Sequence, residues 1–209
     1  GMSMTRKSGA ALAALRRATA TDHASIDELI DPERLVEVGH YAAVVRGLIE
    51  AAEIIEETMP FIPDELRRKG LSPATVSKRV AIDAESAFLE VLAGPPPARG
   101  PSGGNRQLLT SDPPGPAAVL GLLYVYVGSG LGGRHLLRVA RTAPWWQHDR
   151  EHLLFRPYGH HLNHRWRTVL DALECLDPDE ANVAVMAARA GFDVHRRSLV
   201  DHLSVRGHR

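Results

Sequence analysis

The stretch Leu120–Leu137, LGLLYVYVGSGLGGRHLL, decides the fold, because its letters allow two incompatible structures. Five glycines (Gly121, Gly128, Gly130, Gly132 and Gly133) follow or interrupt an apolar, β-branched run. Gly128-x-Gly130-x-x-Gly133 matches the turn that cradles a dinucleotide phosphate, where a strand feeds a helix N-terminus. The same residues also suit a buried helix whose glycines let a flat ligand approach the backbone, since a missing Cβ removes the steric barrier. The flanking chain has to choose between them.

Upstream, residues from about Ser8 to Ile30 carry Leu12, Leu15, Thr19, His23, Ile26 and Ile30 at spacings of three and four. That is one stripe of an amphipathic helix, and His23 lies inside it. Asp31-Pro32 breaks the helix. A second helix from about Gly39 to Met59 buries Val44, Leu48, Ala52, Ile55 and Met59, and Pro60 and Pro63 end it. A short turn follows at Asp64–Lys69. Ser72-Pro73 starts a third helix, with Val76, Val80, Ala84, Ala87 and Val91 inward, to about Ala93. Gly94–Pro116 is too rich in proline and glycine for regular structure and reads as a long exposed loop. Downstream, Trp145-Trp146 anchors the start of a helix from about Arg150 to Leu173. Asp177-Pro178-Asp179-Glu180 is a capping box opening a last helix through Val183, Ala187, Ala190, Val194 and Leu199.

A nucleotide-binding α/β unit needs several strands alternating with helices, and only Leu122–Val127 resembles one. The phosphate-loop reading is therefore weak, and the stretch reads as a buried helix in an all-α chain. The 209 residues suffice for one domain, expected over residues 8–205, with residues 1–7 a flexible N-terminus; Gly1 ahead of Met2 reads as an expression scar. Lys plus Arg equal Asp plus Glu at 25 each, so no global field draws in nucleic acid or an anionic membrane. The single cysteine, Cys175, excludes an internal disulfide and a Cys-built metal site, and fits a reducing cytoplasm. No uninterrupted apolar run reaches membrane-spanning length, and no signal-peptide core opens the chain. The expectation is a cytoplasmic protein.

His23 on an inner helix face, together with a glycine-interrupted buried helix, suggests haem: histidine is a good axial iron ligand, and glycines opposite admit the porphyrin and a diatomic gas. Leu15–Asp27, LRRATATDHASID, resembles the opening helix of haem oxygenases, which ends on the proximal ligand. Tyr124–Leu137, YVYVGSGLGGRHLL, is similar to the distal helix of the bacterial branch, including members encoded beside bacteriophytochromes. The resemblance implies an all-α, single-domain bundle of about seven or eight helices. It implies oxidative cleavage of haem to biliverdin, carbon monoxide and ferrous iron, with haem as substrate and cofactor. O₂, an electron donor such as ferredoxin or a flavin reductase, and a bacteriophytochrome accepting biliverdin are the partners it implies. Carried over, His23 is the axial ligand, Gly128 and Gly132 lie over the haem face, and Ser129 sits beside the oxygen pocket. Arg16 and Arg167 meet the propionates, with Arg165 as the competing register, while Tyr124 and Arg134 belong to the pocket.

Val127 stands where bacterial relatives often have glutamate, and Ser129 replaces the distal aspartate of eukaryotic members. The proline-rich spacer and His135 also depart from the pattern. These departures bear on turnover more than on haem binding. Two alternatives follow: a haem-binding or sensing protein of this fold without turnover, and a relative acting on another small molecule of the thiamin-fragment type, for which Cys175 is the only thiol. A single histidine on an apolar stripe is also commonly a hydrogen-bonded core residue, and the glycines alternatively serve as helix-packing notches. Arg16 has the plain reading of a solvated helix residue. His160 and His164, one turn apart, with His161 between them, raise a structural zinc site, but no carboxylate in the run completes it.

Overall fold

A computed structural model describes residues 9–98 and 114–204. Eight α-helices occur among these residues, with no strands beyond one isolated bridge between Leu153 and Arg156. They are α1 (Ala10–Leu29), α2 (Val38–Glu56), α3 (Asp64–Arg68), α4 (Pro73–Val76), α5 (Arg79–Ala93), α6 (Pro116–Ala140), α7 (Leu162–Glu174) and α8 (Pro178–Ser204). The fold is all-α, as the resemblance implies. Residues 1–8, the middle of the proline-rich spacer (99–113) and residues 205–209 lie outside the described residues.

The stretch that decides the fold is one uninterrupted helix of 25 residues. Pro116 occupies its first turn, where the missing N–H has no intrahelical partner to lose. Among the described residues α6 is the one helix long and apolar enough to cross a membrane, although charged and small residues interrupt its apolar run. Its apolar content is explained by burial: Leu120, Leu123, Tyr126 and Val127 are all enclosed in the core. α8 packs against it so closely that a Cβ on Gly121 would lie 2.1 Å from the Ala184 carbonyl oxygen. Further along, a Cβ on Gly133 would lie 2.1 Å from the Phe155 carbonyl oxygen. The helix-packing reading of these glycines therefore holds for Gly121 and Gly133. Between α2 and α8 the approach is looser: a Cβ on Gly47 would lie 3.0 Å from Leu199 Cα.

The last helix starts as its capping box dictates: Glu180 N donates to Asp177 Oδ1 at 2.8 Å, and Asp177 N donates to Glu180 Oε1 at 3.1 Å. Of the residues named for it, Val194 and Leu199 are fully buried and Val183 is 46% exposed; the face between the packed helices is Ala184, Ala188, Gly191, His195 and Ser198. The stripe is made of small residues because α6 and α2 come too close for larger ones.

Three further expectations are corrected. The third helix is two helices, α4 and α5, separated by an extended Ser77 (φ −63°, ψ 140°) and Lys78. The break resets the helical phase, so Ile82, Glu85 and Leu89 face inward, and Val80 and Val91 are exposed. Trp145-Trp146 does not start a helix. The segment that follows is irregular until Leu162, and both indoles pack around Tyr41, at centroid distances of 5.0 and 6.0 Å. The irregular segment is held by Glu85, fully buried, which pairs with Arg150 at 2.9 Å and accepts from Leu154 N at 3.0 Å and Tyr41 Oη at 3.1 Å. A buried carboxylate satisfied three times over organises a loop that hydrophobic periodicity cannot detect.

Candidate functional site

Between α1 and α6 lies a cavity of about 580 Å³. Residues separated by one hundred positions meet on it because both helices pack on α8. α1 is held by Leu15 and Thr19, both buried, and by an Asp22–Arg189 ion pair at 3.2 Å. The second half of α1 then leans over the cavity with no buried residue beyond Thr19.

Of the sequence candidates, His23, Arg16, Tyr124, Gly128, Ser129 and Gly132 all line this cavity. His23 is 65% exposed, so it is a wall residue rather than the hydrogen-bonded core histidine its stripe allows. Its Nδ1 lies 3.1 Å from Asp27 Oδ2, and its ring meets Phe192 of α8 edge-on at 6.1 Å. Nε2 has no partner among the described residues. The Asp27 contact is close without hydrogen-bond geometry; a carboxylate beside the ring is the kind of neighbour that supports a metal-ligating imidazole.

The glycines divide their work. A Cβ at Gly132 would meet nothing within 4 Å, so this position opens directly onto the cavity. A Cβ at Gly128 would come within 3.0 Å of Trp166, which stacks on Tyr124 at 5.5 Å and closes that end. The cavity thus offers a flat molecule open space at Gly132 on one wall and an exposed histidine on another. The residues present therefore suit haem.

Two candidates lie elsewhere. Arg134 lines a second cleft of about 460 Å³ with Arg138, Arg141 and Arg156, and none of the four pairs with a carboxylate among the described residues. Arg167 is exposed and lines neither space, and its competitor Arg165 is spent on the Thr75 carbonyl at 2.9 Å. His160 and His161 stack at 4.0 Å, but no group of three or more metal-binding side chains forms among the described residues. Cys175 is exposed, away from the cavity, which leaves the thiamin-fragment alternative without its thiol. Val127 is fully buried and absent from the cavity wall.

Sequence reasoning missed the inner wall, Lys78 and His195, each about 95% buried. Lys78 comes from the break between α4 and α5, and its Nζ donates to Ser129 Oγ at 2.8 Å. Burial lowers its pKa to about 7, with Glu56 opposing. Burial also lowers that of His195 to about 4, although Nδ1 is hydrogen-bonded to the Gly191 carbonyl at 2.8 Å. His195 could have been found in the small-residue stripe of α8. No periodic signal marks Lys78, since a lysine beside an arginine reads as solvated.

No family model matches the chain, and no curated protein sequence does. Among solved structures, it is similar to that of haem oxygenase from Leptospira interrogans. The TM-score is 0.63 over 91% of this chain and 98% of that one, at 17% identity. The fold is thus a haem-oxygenase-like fold.

Proposed function

We propose that this chain is a haem oxygenase, holding haem between α1 and α6 and cleaving it oxidatively to biliverdin, carbon monoxide and ferrous iron. The observation that carries the reading is the pairing across one cavity of His23, its Nε2 without a partner among the described residues and its Nδ1 beside Asp27, with Gly132, which has open space where a side chain would be.

Bound haem supplies both the iron at which O₂ is activated and the ring that is cut. The chain's own part is placement. His23 Nε2 holds the iron, with Asp27 as the supporting carboxylate beside its ring. Gly132 would leave room for the ring against α6, and Gly128 makes room for Trp166, which with Tyr124 closes one end to water. Arg16, seven residues before His23 and on the same helix face, is placed to pair with a propionate. Ser129 and Lys78 put polar hydrogens on an otherwise apolar wall. Turnover is preferred over binding alone because Val127, the departure that removes a hydrogen-bonding group, lies in the core and off the cavity wall, which leaves His135 as the departure from the bacterial pattern that lines it. Electrons come from an external donor of ferredoxin or flavin-reductase type, and a bacteriophytochrome is the proposed acceptor of the product.

Haemin titrated into the purified protein should give a sharp Soret band that His23→Ala shifts or abolishes. Ascorbate or a ferredoxin system under air should then replace it with biliverdin absorption. The binding claim fails if no Soret band forms, and the cleavage claim fails if a stable band yields no biliverdin.

A further inference from the structure

Two buried ionisable groups line the cavity, Lys78 and His195; the His195 ring is tied to the Gly191 carbonyl of its own helix, whereas Lys78 reaches across from another element. Lys78 is about 5% exposed, yet it lines the cavity. Its backbone is fixed by a carboxylate from α2: Glu56 accepts from Ser77 Oγ and, at Oε2, from Lys78 N at 3.3 Å and Tyr126 Oη at 2.7 Å. With three donors already on Glu56, the carboxylate makes no ion pair with Nζ. The ammonium instead sits 4.1 Å above the Tyr126 ring and 5.9 Å from that of Tyr158, and gives one of its three hydrogens to Ser129 Oγ. Ser129 Oγ passes its own hydrogen to the Tyr126 carbonyl at 2.8 Å. Nζ is thus hydrogen-bonded to a hydroxyl and flanked by two rings, with the Glu56 carboxylate near enough to favour its charge but not in ion-pair contact, and the residue lines the cavity.

A buried cation without an ion-pair partner is a costly arrangement, several kcal/mol in the general case. A structural role does not account for it, because a methionine would fill the same volume without the desolvation. It is accounted for by an acceptor that arrives with the ligand.

We propose that Lys78 is the anion-recognising and proton-donating residue of the cavity, its Nζ–H directed at a small anionic or oxygen-bearing ligand bound beside Ser129 on the α6 wall. This rests on the haem reading. Donation leaves Lys78 as the neutral amine and the ligand protonated; the amine regains its proton from bulk water at the cavity mouth. Because burial brings the group to about 7, both forms are populated near neutrality.

The titratable groups facing Nζ are Glu56 from α2, Tyr126 from α6, Tyr158 from the segment before α7, and His195 from α8. Both tyrosines titrate well above 10, and His195 near 4, so a step near pH 7 from this wall belongs to Lys78.

The test uses azide as the anionic probe on the full chain loaded with haemin, across pH 6–8. In the wild type, azide affinity should fall about tenfold as pH rises through 7. Lys78→Met should keep the Soret band and bind azide about tenfold more weakly at pH 6, without the step. Lys78→Arg should retain the affinity, also without the step. In the ligand-free protein, reductive ¹³C-methylation should show one lysine titrating near 7 that Lys78→Met removes. An unchanged azide profile in Lys78→Met with the Soret band intact overturns the proposal, as does a titration near 10 of the ¹³C signal that Lys78→Met removes. Absence of a Soret band in the wild type overturns the haem reading instead, and the ¹³C titration still reports on Lys78 alone.

Discussion

His23 Nδ1 lies 3.1 Å from Asp27 Oδ2, one helical turn further along α1. The spacing is that of an i, i+4 pair, so the carboxylate is aligned by helix geometry rather than by long-range packing. Losing such an orienting partner typically costs 10–100-fold in metal affinity. Asp27→Asn should therefore weaken haemin binding by about that factor while leaving helix content unchanged, and His23→Ala should remove iron ligation. The measurement is a Soret titration with far-ultraviolet circular dichroism as the fold control; equal affinity in Asp27→Asn and wild type would show that the pair is only a surface contact.

Two glycines of α6 should respond to the same substitution with opposite signs. Gly121→Ala drives a methyl into the Ala184 carbonyl, against backbone that cannot rotate away, and should destabilise by about 3 kcal/mol. Gly132→Ala meets nothing and should stabilise by up to about 1 kcal/mol through helix propensity. Gly132→Leu should leave unfolding unaffected or improved but block haemin. Urea unfolding of the three variants separates packing from site.

Acid should destabilise this protein through His195. Its folded pKa, about 4, lies below the ordinary value of 6.5, so the unfolded chain binds more protons between these limits. Stability is whole above about pH 6.5 and falls with pH to about 4, by about 3 kcal/mol at most for this group. His195→Gln should flatten that part of the pH–stability curve. Lys78 acts in a separate window: its folded pKa of about 7 against 10.5 makes stability rise between those values, a slope that Lys78→Met should remove.

Arg16 gives a test of ligand orientation. Arg16→Ala should weaken haemin by roughly 5–10-fold, the worth of one charge-assisted hydrogen bond, and leave the dimethyl ester of haemin unaffected. Equal losses for both ligands would mean that Arg16 only covers apolar surface.

The sequence shows most clearly those features that depend on local chemistry. The Asp177–Glu180 box starts α8 because two backbone N–H groups need acceptors, and Asp31-Pro32 ends α1 because proline excludes the preceding residue from helix. The apolar run of α6 was legible as a buried helix once strands proved lacking around it. What hydrophobic periodicity missed were buried charges. Glu56, Lys78 and Glu85 occupy inner positions through partners 51 or more residues away: Tyr126 for Glu56, Ser129 for Lys78 and Leu154 for Glu85. The phase of α5 was misread for a related reason: the stop at Ser77 is imposed by Glu56, and nothing beside Ser77 announces it. His23, Gly128, Ser129 and Gly132 were found through a resemblance of two motifs, and they line one cavity. Arg134 and Arg167 do not join them, since side-chain direction on a helix changes by about 100° per residue.

α6 is clamped at two backbone contacts, Gly121 on Ala184 and Gly133 on Phe155, about 18 Å apart along the helix. The stretch between them behaves as a beam held at both ends. The opposing wall is different, because the half of α1 beyond Thr19 has no fully buried residue and reaches the core only through the partly buried Ile26 and Leu29. Breathing of the cavity is therefore one-sided. Amide hydrogens of residues 122–132 should exchange only at the rate of global unfolding, whereas those of 21–29 exchange by local opening and slow selectively when haemin is added. On this fold the iron ligand rides on the compliant wall and the glycines on the rigid one. Affinity is then set by how much order α1 must gain, and the spacing over the glycine face stays constant from one binding event to the next.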